Sequence, residues 1–194
     1  MMIAGQRRMV QTTTTASSSP TWEASAWLNV NTTATFVSST ITASTRKVFT
    51  SWQDPTDFDF STMPFQWTSL LSEQRTILNA ADAQGANRLA YLRGDRSLET
   101  SIFRARGASV LGDIVHSGVT YVSGPPPALR LPGHAAYRTA NRSRPPVVYV
   151  GANDGMLHAF SGSDGSELFA YIPSAVFNKL PELTALNFRH QYFV

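Results

Sequence analysis

Three neighbouring residues, Asp113, His116 and Ser117, are of the types that form a hydrolase catalytic triad. If this segment is a strand, Asp113 and His116 point to opposite faces, because side chains alternate along a strand. Catalytic triads also draw their members from separate structural elements. The segment therefore favours structural hydrogen bonds over nucleophilic catalysis. No catalytic residue is predicted, and the chain is not expected to be an enzyme.

Residues that could bind a metal are sparse. The four histidines, His116, His134, His158 and His190, include no closely spaced pair, and the chain has no cysteine. Protein zinc sites are built from cysteine and histidine at short, recognisable spacings. The sequence therefore predicts no metal site and no bound cofactor in this chain, and His158 is expected to be a hydrogen-bonded core residue.

Two Asp-Gly pairs are the clearest local signals, because glycine supplies the positive φ that tight hairpin turns require. They separate three short apolar runs, 147–150, 156–161 and 167–172, which are predicted to be antiparallel strands. Neither face of the second strand is polar, so this sheet is expected to be covered on both sides. The predicted turn and blade residues are Gly151, Asn153, Asp154, Gly155, His158, Asp164 and Gly165.

Two arginine-containing segments could bind partners. The tripeptide Arg93-Gly94-Asp95 matches an integrin ligand, but a helix ending at a glycine explains it better. Arg138, Arg142 and Arg144 cluster within 124–146, where prolines and glycines predict an irregular, solvated loop. The net charge of +3 is small and scattered, so no nucleic-acid partner is predicted.

The elements that must position these residues follow from hydrophobic periodicity. Helices are predicted at 69–81, with Ser72 as a possible internal cap, and at 87–93, with a helical turn at 174–180. Strands are predicted within 21–50 and at 114–115 and 119–122. Residues 1–20 are predicted to be a disordered lead. Residues 21–194 then form one domain, with a helical insertion at about 69–93 and a readable blade at about 146–194.

Targeting signals are missing from the sequence. No apolar run approaches the ~20 residues that span a bilayer. Arg7 and Arg8 are not followed by the apolar stretch of a secretory signal. Only 15% of the residues are charged, and serine, threonine and asparagine supply the polar surface, as is common in secreted and surface β-proteins.

The segment VVYVGANDGMLHAFSGSDGSELFAYIP resembles a quinoprotein-type propeller repeat. Upstream of it, RLAYLRGD, FRAR and LGDIVHS occur in that order, and SAVFNKL follows. This succession, with RKVF and LSEQ nearer the start, resembles the opening of the C-terminal propeller of the PilY family of type IV pilus biogenesis and adhesion factors. The resemblance covers about residues 20–194.

The resemblance implies a mainly β fold with a helical insertion, namely an incomplete β-propeller. It also implies a pilus-associated or secreted protein of the cell envelope, whose partners are pilus proteins and cell or abiotic surfaces. Some members of the family bind Ca²⁺ in loops that resemble EF-hands. A series from Asp57 places Asp59 and Ser61 correctly but fails at Thr62 and Thr68, so no calcium ligand is predicted here. Ca²⁺ is expected only in other parts of a full-length protein.

A propeller needs at least four blades of about 40–45 residues. One blade is recognisable, so the chain is expected to be part of a longer protein and only marginally stable alone. The missing secretory signal suggests a start further upstream.

Two alternative functions remain open. One is a quinone-dependent dehydrogenase, whose propeller uses similar repeats and encloses a cofactor with calcium. The other is a propeller scaffold of the envelope with no link to pili.

Overall fold

The computed structural model describes residues 10–11, 22–28, 45–53, 59–80, 82–127, 129 and 131–193. The strands are β1 (Val10–Gln11), β2 (Trp22–Glu23), β3 (Val48–Gln53), β4 (Phe60–Pro64), β5 (Thr120–Val122), β6 (Val147–Ala152), β7 (Met156–Ser161) and β8 (Glu167–Ile172). The helices are α1 (Ala24–Leu28), α2 (Ser72–Asn79), α3 (Gly85–Leu92), α4 (His134–Asn141) and α5 (Ser174–Phe177), with a 3₁₀ turn at Glu182–Thr184.

A four-stranded antiparallel unit, β5-β6-β7-β8, forms the blade. The three strands predicted within 147–172 are confirmed, and β5 adds a fourth strand beside β6. Two-residue periodicity and β-branched or aromatic side chains favour these strands. The connections turn at Gly155 and Gly165, whose φ angles are +84° and +75°. A Cβ at Gly165 would also clash with the ring of Trp22.

An N-terminal hairpin extends the blade to six strands in the order β4-β3-β8-β7-β6-β5. Strand β3 pairs in parallel with β8, with Val48 opposite Ala170, and β4 pairs with β3 in antiparallel fashion. The Thr50 hydroxyl donates to the carbonyl oxygen of Ile172 at 3.0 Å and strengthens this parallel junction. Within the described residues the sheet is open and does not close into a ring. The fold is therefore that of an incomplete propeller, as predicted.

A bulge in β8 decides which side chains reach the buried face. Ala159 of β7 lies opposite Phe169, whereas the next residue, Phe160, lies opposite Glu167, so Leu168 is the extra residue. A bulge re-aims the side chains that follow it. Glu167 therefore shares the buried face with Phe160, and Leu168 turns outward with 41% of its surface exposed.

The two faces of the sheet differ in burial. One face is buried along β6 and β7, through residues such as Val150, Met156 and Phe160. The other face is partly open, with Leu157 exposed and Tyr149 only half-buried. The prediction that both faces are covered assumed neighbouring blades on each side, so it stays a prediction. Propeller blades bury such faces against neighbouring blades, and no neighbouring blade lies among the described residues.

The buried face carries two apolar clusters. The first joins the sheet to α2, α3 and α5 and includes the fully buried rings of Phe65, Phe103 and Phe177. The second joins β6 and Phe160 to Trp22 and α1. Met156 belongs to the first cluster and Phe160 to the second, so His158, between them on the same strand face, lies where the clusters meet. The helices of the insertion thus cover the part of the buried face that the first cluster occupies.

Helix α2 is shorter than the predicted 69–81, and α3 begins two residues before and ends one residue before the predicted 87–93. Helix α2 begins at Ser72, and its first turn is stabilised when the Leu71 amide donates to Oε1 of Gln74 at 3.1 Å. Ser72 is therefore not the cap. Helix α3 ends at Leu92, and Gly94 follows with a φ of +116°, as expected for a glycine after a helix end.

Three predictions of local structure are wrong. Residues 124–146 contain α4, because the prolines lie outside residues 133–144 and alanine favours helix there. Residues 114–115 form no strand, although Ile114 is buried, because the backbone around them contacts the turn after β6 instead of a strand. Ala24–Leu28 is a helix rather than a strand.

The predicted disordered lead lies mostly outside the described residues. Of residues 1–20, the structure describes 10–11, which pair as a short antiparallel ladder with β2. Residues 29–44 and 54–58 also lie outside the described part. Within the described part, no helix is long and apolar enough to span a bilayer.

Candidate functional site

A buried ionic cluster lies where the two apolar clusters meet. Nδ1 of His158 is 2.8 Å from Oε1 of Glu167, and Nε2 is 3.1 Å from Oδ2 of Asp154. On its other side, Glu167 accepts two hydrogen bonds from Arg46, each 2.7 Å long. The side chains of His158, Glu167 and Arg46 are at most 2% exposed, and that of Asp154 is 19% exposed. The four residues form a continuous chain of alternating charge.

The cluster holds its members ionised at neutral pH. Burial alone would lower the pKa of His158, but the carboxylates of Asp154 and Glu167 outweigh it and raise that pKa to about 9. Burial alone would raise the pKa of Glu167, but hydrogen bonds from Arg46 and His158 lower it to about 2. The pKa of Asp154 is also lowered, since the charge of His158 outweighs the effect of burial. His158 is therefore an imidazolium that donates through both ring nitrogens.

Arg93 extends the cluster to the helical insertion. Its guanidinium donates to the carbonyl oxygens of Arg46 at 2.7 Å and Phe65 at 2.9 Å. Arg46 in turn donates to the carbonyl oxygen of Arg93 at 3.0 Å. Arg93 is only 4% exposed, so the Arg-Gly-Asp tripeptide is not presented to an integrin, and its structural use is confirmed.

The turn after β6 ties the cluster to the segment before β5. Gly112 donates its amide hydrogen to Oδ2 of Asp154 at 3.0 Å, and Asn153 donates its own to the carbonyl oxygen of Asp113. The amide oxygen of Asn153 accepts from the Phe193 amide at 3.1 Å. Gly151 lies within β6, not in the turn itself. The second turn is simpler: Asp164 accepts from the amide of Ser166.

A cavity of about 640 Å³ opens beside Asp154. Its size falls within the usual range for small-molecule sites. The guanidinium of Arg104 stacks 4.2 Å from the centre of the Phe188 ring at one wall. At another wall, Nε2 of His190 is 2.8 Å from Oδ2 of Asp113. The lining mixes apolar side chains with polar and charged ones, and Asp113, Asn153 and Asp154 among them already hydrogen-bond to other groups of the chain.

The arrangement does not resemble a hydrolytic site. Asp113 contacts His190 and Asn153, whereas the ring of His116 packs against Tyr192 at 4.4 Å. Both ring nitrogens of His158 face carboxylates, so neither is free to accept a proton from a nucleophile. Among the described residues, no three histidine, aspartate or glutamate side chains are grouped to hold a metal ion.

The calcium loop considered from Asp57 does not fit the structure. Asp57 lies outside the described residues, but Ser61 and Thr62 lie in strand β4, where an EF-hand would need a tight loop. The oxygens of Asp154 are used by the amides of Gly112 and Met156 and by His158. The Asp154 carboxylate is therefore engaged by groups of the chain itself.

Substitution of Gly112 by alanine is expected to destabilise the chain by about 1–3 kcal/mol. A Cβ on Gly112 would clash with the backbone nitrogen of Asp154, so the junction beside the ionic cluster would have to open. Gly118 is the matched control, because a Cβ there meets nothing within 4 Å. Urea unfolding followed by tryptophan fluorescence measures both variants. Equal midpoints for the two variants would rule out a tight junction.

Two kinds of comparison connect this geometry to known proteins. A family model described as the PilY1 beta-propeller domain matches residues 111–194. The type IV pilus biogenesis factor PilY1 of Pseudomonas aeruginosa strain PAK is 44% identical over 151 residues, which cover 67% of this chain. The chain belongs to the PilY1 family. The described six-stranded sheet is accordingly part of a β-propeller.

Other PilY1 relatives show the same extent of match. The PilY1 homolog of Xylella fastidiosa strain Temecula1 is 45% identical over 130 residues, which cover 62% of this chain and 10% of that relative. The match to the Pseudomonas aeruginosa strain PAK protein covers 13% of its length. The chain thus spans only a small part of the curated PilY1 proteins that it matches. No solved structure matches it significantly.

The PilY1-type motifs meet in the ionic cluster, which sequence reasoning did not find. His158 and Asp154 were predicted only as core and turn residues, and Arg46 and Glu167 carried no predicted role. Arg46 and Glu167 are 121 residues apart in the chain, so no local spacing connects these two residues. The available signal was limited to His158, a polar residue at an inward position of an apolar strand, where a polar group without a partner is costly.

Proposed function

We propose that this chain is a non-enzymatic module of a type IV pilus biogenesis factor, acting through contacts with pilus proteins in the cell envelope. Its propeller sheet serves as a rigid scaffold, and surface adhesion is a further role of the complete protein. The observation that carries the proposal is the match to curated type IV pilus biogenesis factors at 44% identity over 151 residues. We also propose that any Ca²⁺ bound by the complete protein is held by other residues.

The buried cluster supports a scaffold role. An ionic chain of Arg46, Glu167, His158 and Asp154 is enclosed by apolar residues, and its charges neutralise one another. Buried ion pairs contribute little net stability, but in several proteins they select one packing arrangement over others. Here the pairs join the N-terminal hairpin to the blade, so they favour one position of that hairpin on the sheet.

The relatives that the chain matches are named as pilus biogenesis factors, which favours the pilus role over the dehydrogenase alternative. The match to pilus biogenesis factors also favours the pilus role over a generic envelope scaffold.

A chimera tests the proposal. The matched segment of PilY1 in Pseudomonas aeruginosa strain PAK would be replaced by the corresponding residues of this chain. We expect cells carrying the chimera to display surface pili and to move by twitching, because the inserted segment supplies the same scaffold. Pili on the cell surface would be counted by electron microscopy, and chimera levels would be measured by immunoblot.

Two variants of the chimera control the experiment. His158→Leu removes the central cation of the buried cluster and should abolish piliation together with accumulation of the protein. His190→Leu changes a histidine outside that cluster whose side chain is 51% exposed, and should leave the chimera level unchanged. A chimera that accumulates at the normal level in cells without pili would rule out the proposed function.

A further inference from the structure

Helix α4 projects from the blade with none of its side chains buried. It belongs to an arm, residues 123–145, between β5 and β6. A helix of eight residues is marginal in water without packing against other structure. The arm is attached through its base, where Nε of Arg144 donates to the carbonyl oxygen of Ser123 at 3.0 Å. Most of its other described side chains are exposed.

The arm is basic and has no acidic counterpart nearby in sequence. Between Asp113 and Asp154 the chain contains four arginines and no aspartate or glutamate. Arg138 and Arg142 are exposed, and neither side chain forms a hydrogen bond or ion pair within the described part of the chain. Their charges are therefore unbalanced locally and complement an anionic surface.

Exposed apolar side chains accompany these charges. Leu131 is 64% exposed, and Leu129 and Tyr137 are each 50% exposed. Tyrosine and arginine are enriched in protein interfaces and dominate binding energies there. A surface with this mixture suits a partner that offers both carboxylates and an apolar contact.

We propose that the arm docks against an acidic protein surface, with Arg138 and Arg142 bound to carboxylates. Guanidinium groups bind carboxylates through two parallel hydrogen bonds, which gives such contacts their specificity. A membrane fits less well, because basic membrane-binding segments present four to eight cations, and one of the four arginines of the arm, Arg144, is held at its base by the carbonyl oxygen of Ser123. The inference rests on the proposed function in that such a partner would be a pilus protein.

Binding to a defined acidic peptide tests the inference. The 194-residue chain would be titrated with a synthetic peptide of alternating glutamate and leucine or phenylalanine residues. We expect saturable binding at about 50 mM NaCl that weakens at about 300 mM, where charges are screened over shorter distances. Arg138→Glu with Arg142→Glu should weaken binding by about tenfold or more. Arg138→Lys with Arg142→Lys should retain part of the affinity.

A matched double variant distinguishes the effect of the arm on affinity from the effect of the net charge of the chain. Lys179→Glu with Arg189→Glu makes the same change of charge at exposed positions outside the arm and should alter the affinity by less than about twofold. Equal losses in both double variants, or no binding of the peptide, would overturn the inference. Tighter binding to vesicles containing phosphatidylglycerol, or to a DNA oligonucleotide, would overturn the assignment to a protein. If the chimera accumulates without restoring pili while the chain still binds the acidic peptide, the pilus role is ruled out but the docking surface is not.

Discussion

Replacement of Glu167 by leucine is expected to destabilise the folded chain by about 3–5 kcal/mol, because it leaves buried charges without their partner. Arg46 would lose both hydrogen bonds to the carboxylate, and His158 would lose its partner at Nδ1. Neither group can turn to water, since their side chains are at most 2% exposed. Urea unfolding followed by tryptophan fluorescence measures the loss, and gel filtration detects a chain that does not fold.

Two further variants identify the cause of that loss. Glu182→Leu removes an exposed carboxylate and should change the free energy of unfolding by about 0.5 kcal/mol or less. Arg46→Leu combined with Glu167→Leu removes both charges of the pair and should recover much of the stability lost in Glu167→Leu alone. If Glu182→Leu is as destabilising as Glu167→Leu, the buried ion pair is not the cause.

The stability of the chain is expected to be greatest between about pH 4.5 and 6.5 and to fall on both sides. The pKa of Glu167 is lowered from 4.5 to about 2, so its contribution is present above pH 4.5 and is lost as the pH falls toward 2. The pKa of His158 is raised from 6.5 to about 9, so its contribution is present below pH 6.5 and is lost as the pH rises through 9. The alkaline loss is about 3 kcal/mol, from 1.36 kcal/mol for each pKa unit.

Urea midpoints measured from about pH 2 to about pH 9 would show this profile. In His158→Gln the decline between pH 6.5 and 9 should disappear, because the group that titrates is no longer present. His190→Gln is the control, since His190 is 51% exposed and pairs with Asp113 at the surface. A wild-type midpoint that is constant from pH 5 to 9 would show that His158 is not an imidazolium in the folded chain.

Part of the ionic cluster could have been anticipated from the pattern of β7. Met156 and Phe160 alternate with His158 on one face, so a histidine between two apolar residues was expected to be buried and hydrogen-bonded, and it is 0% exposed. Its partner Glu167 could not be placed. Simple alternation pairs Phe160 with Leu168, and only the bulge in β8 turns Glu167 inward.

Helix α4 in the arm could not be predicted from the sequence, for a different reason. Prolines and glycines between 124 and 146 predict irregular structure, yet the proline-free interval holds α4. Composition averaged over a window hides such an interval, whereas helix formation depends on each consecutive residue. The exposure of Arg138 follows from the position of that helix outside the sheet, which no local pattern determines.

The sequence by itself determined the blade, its two Asp-Gly turns and the family to which the chain belongs, because these depend on residues adjacent in the chain. Only the tertiary structure decided that β3 joins β8 in parallel, that Arg46 reaches Glu167 and that Arg93 is buried. Those contacts connect residues far apart in sequence, and their strength depends on the exclusion of water by two packed apolar clusters. Burial of that kind is a property of the assembled fold.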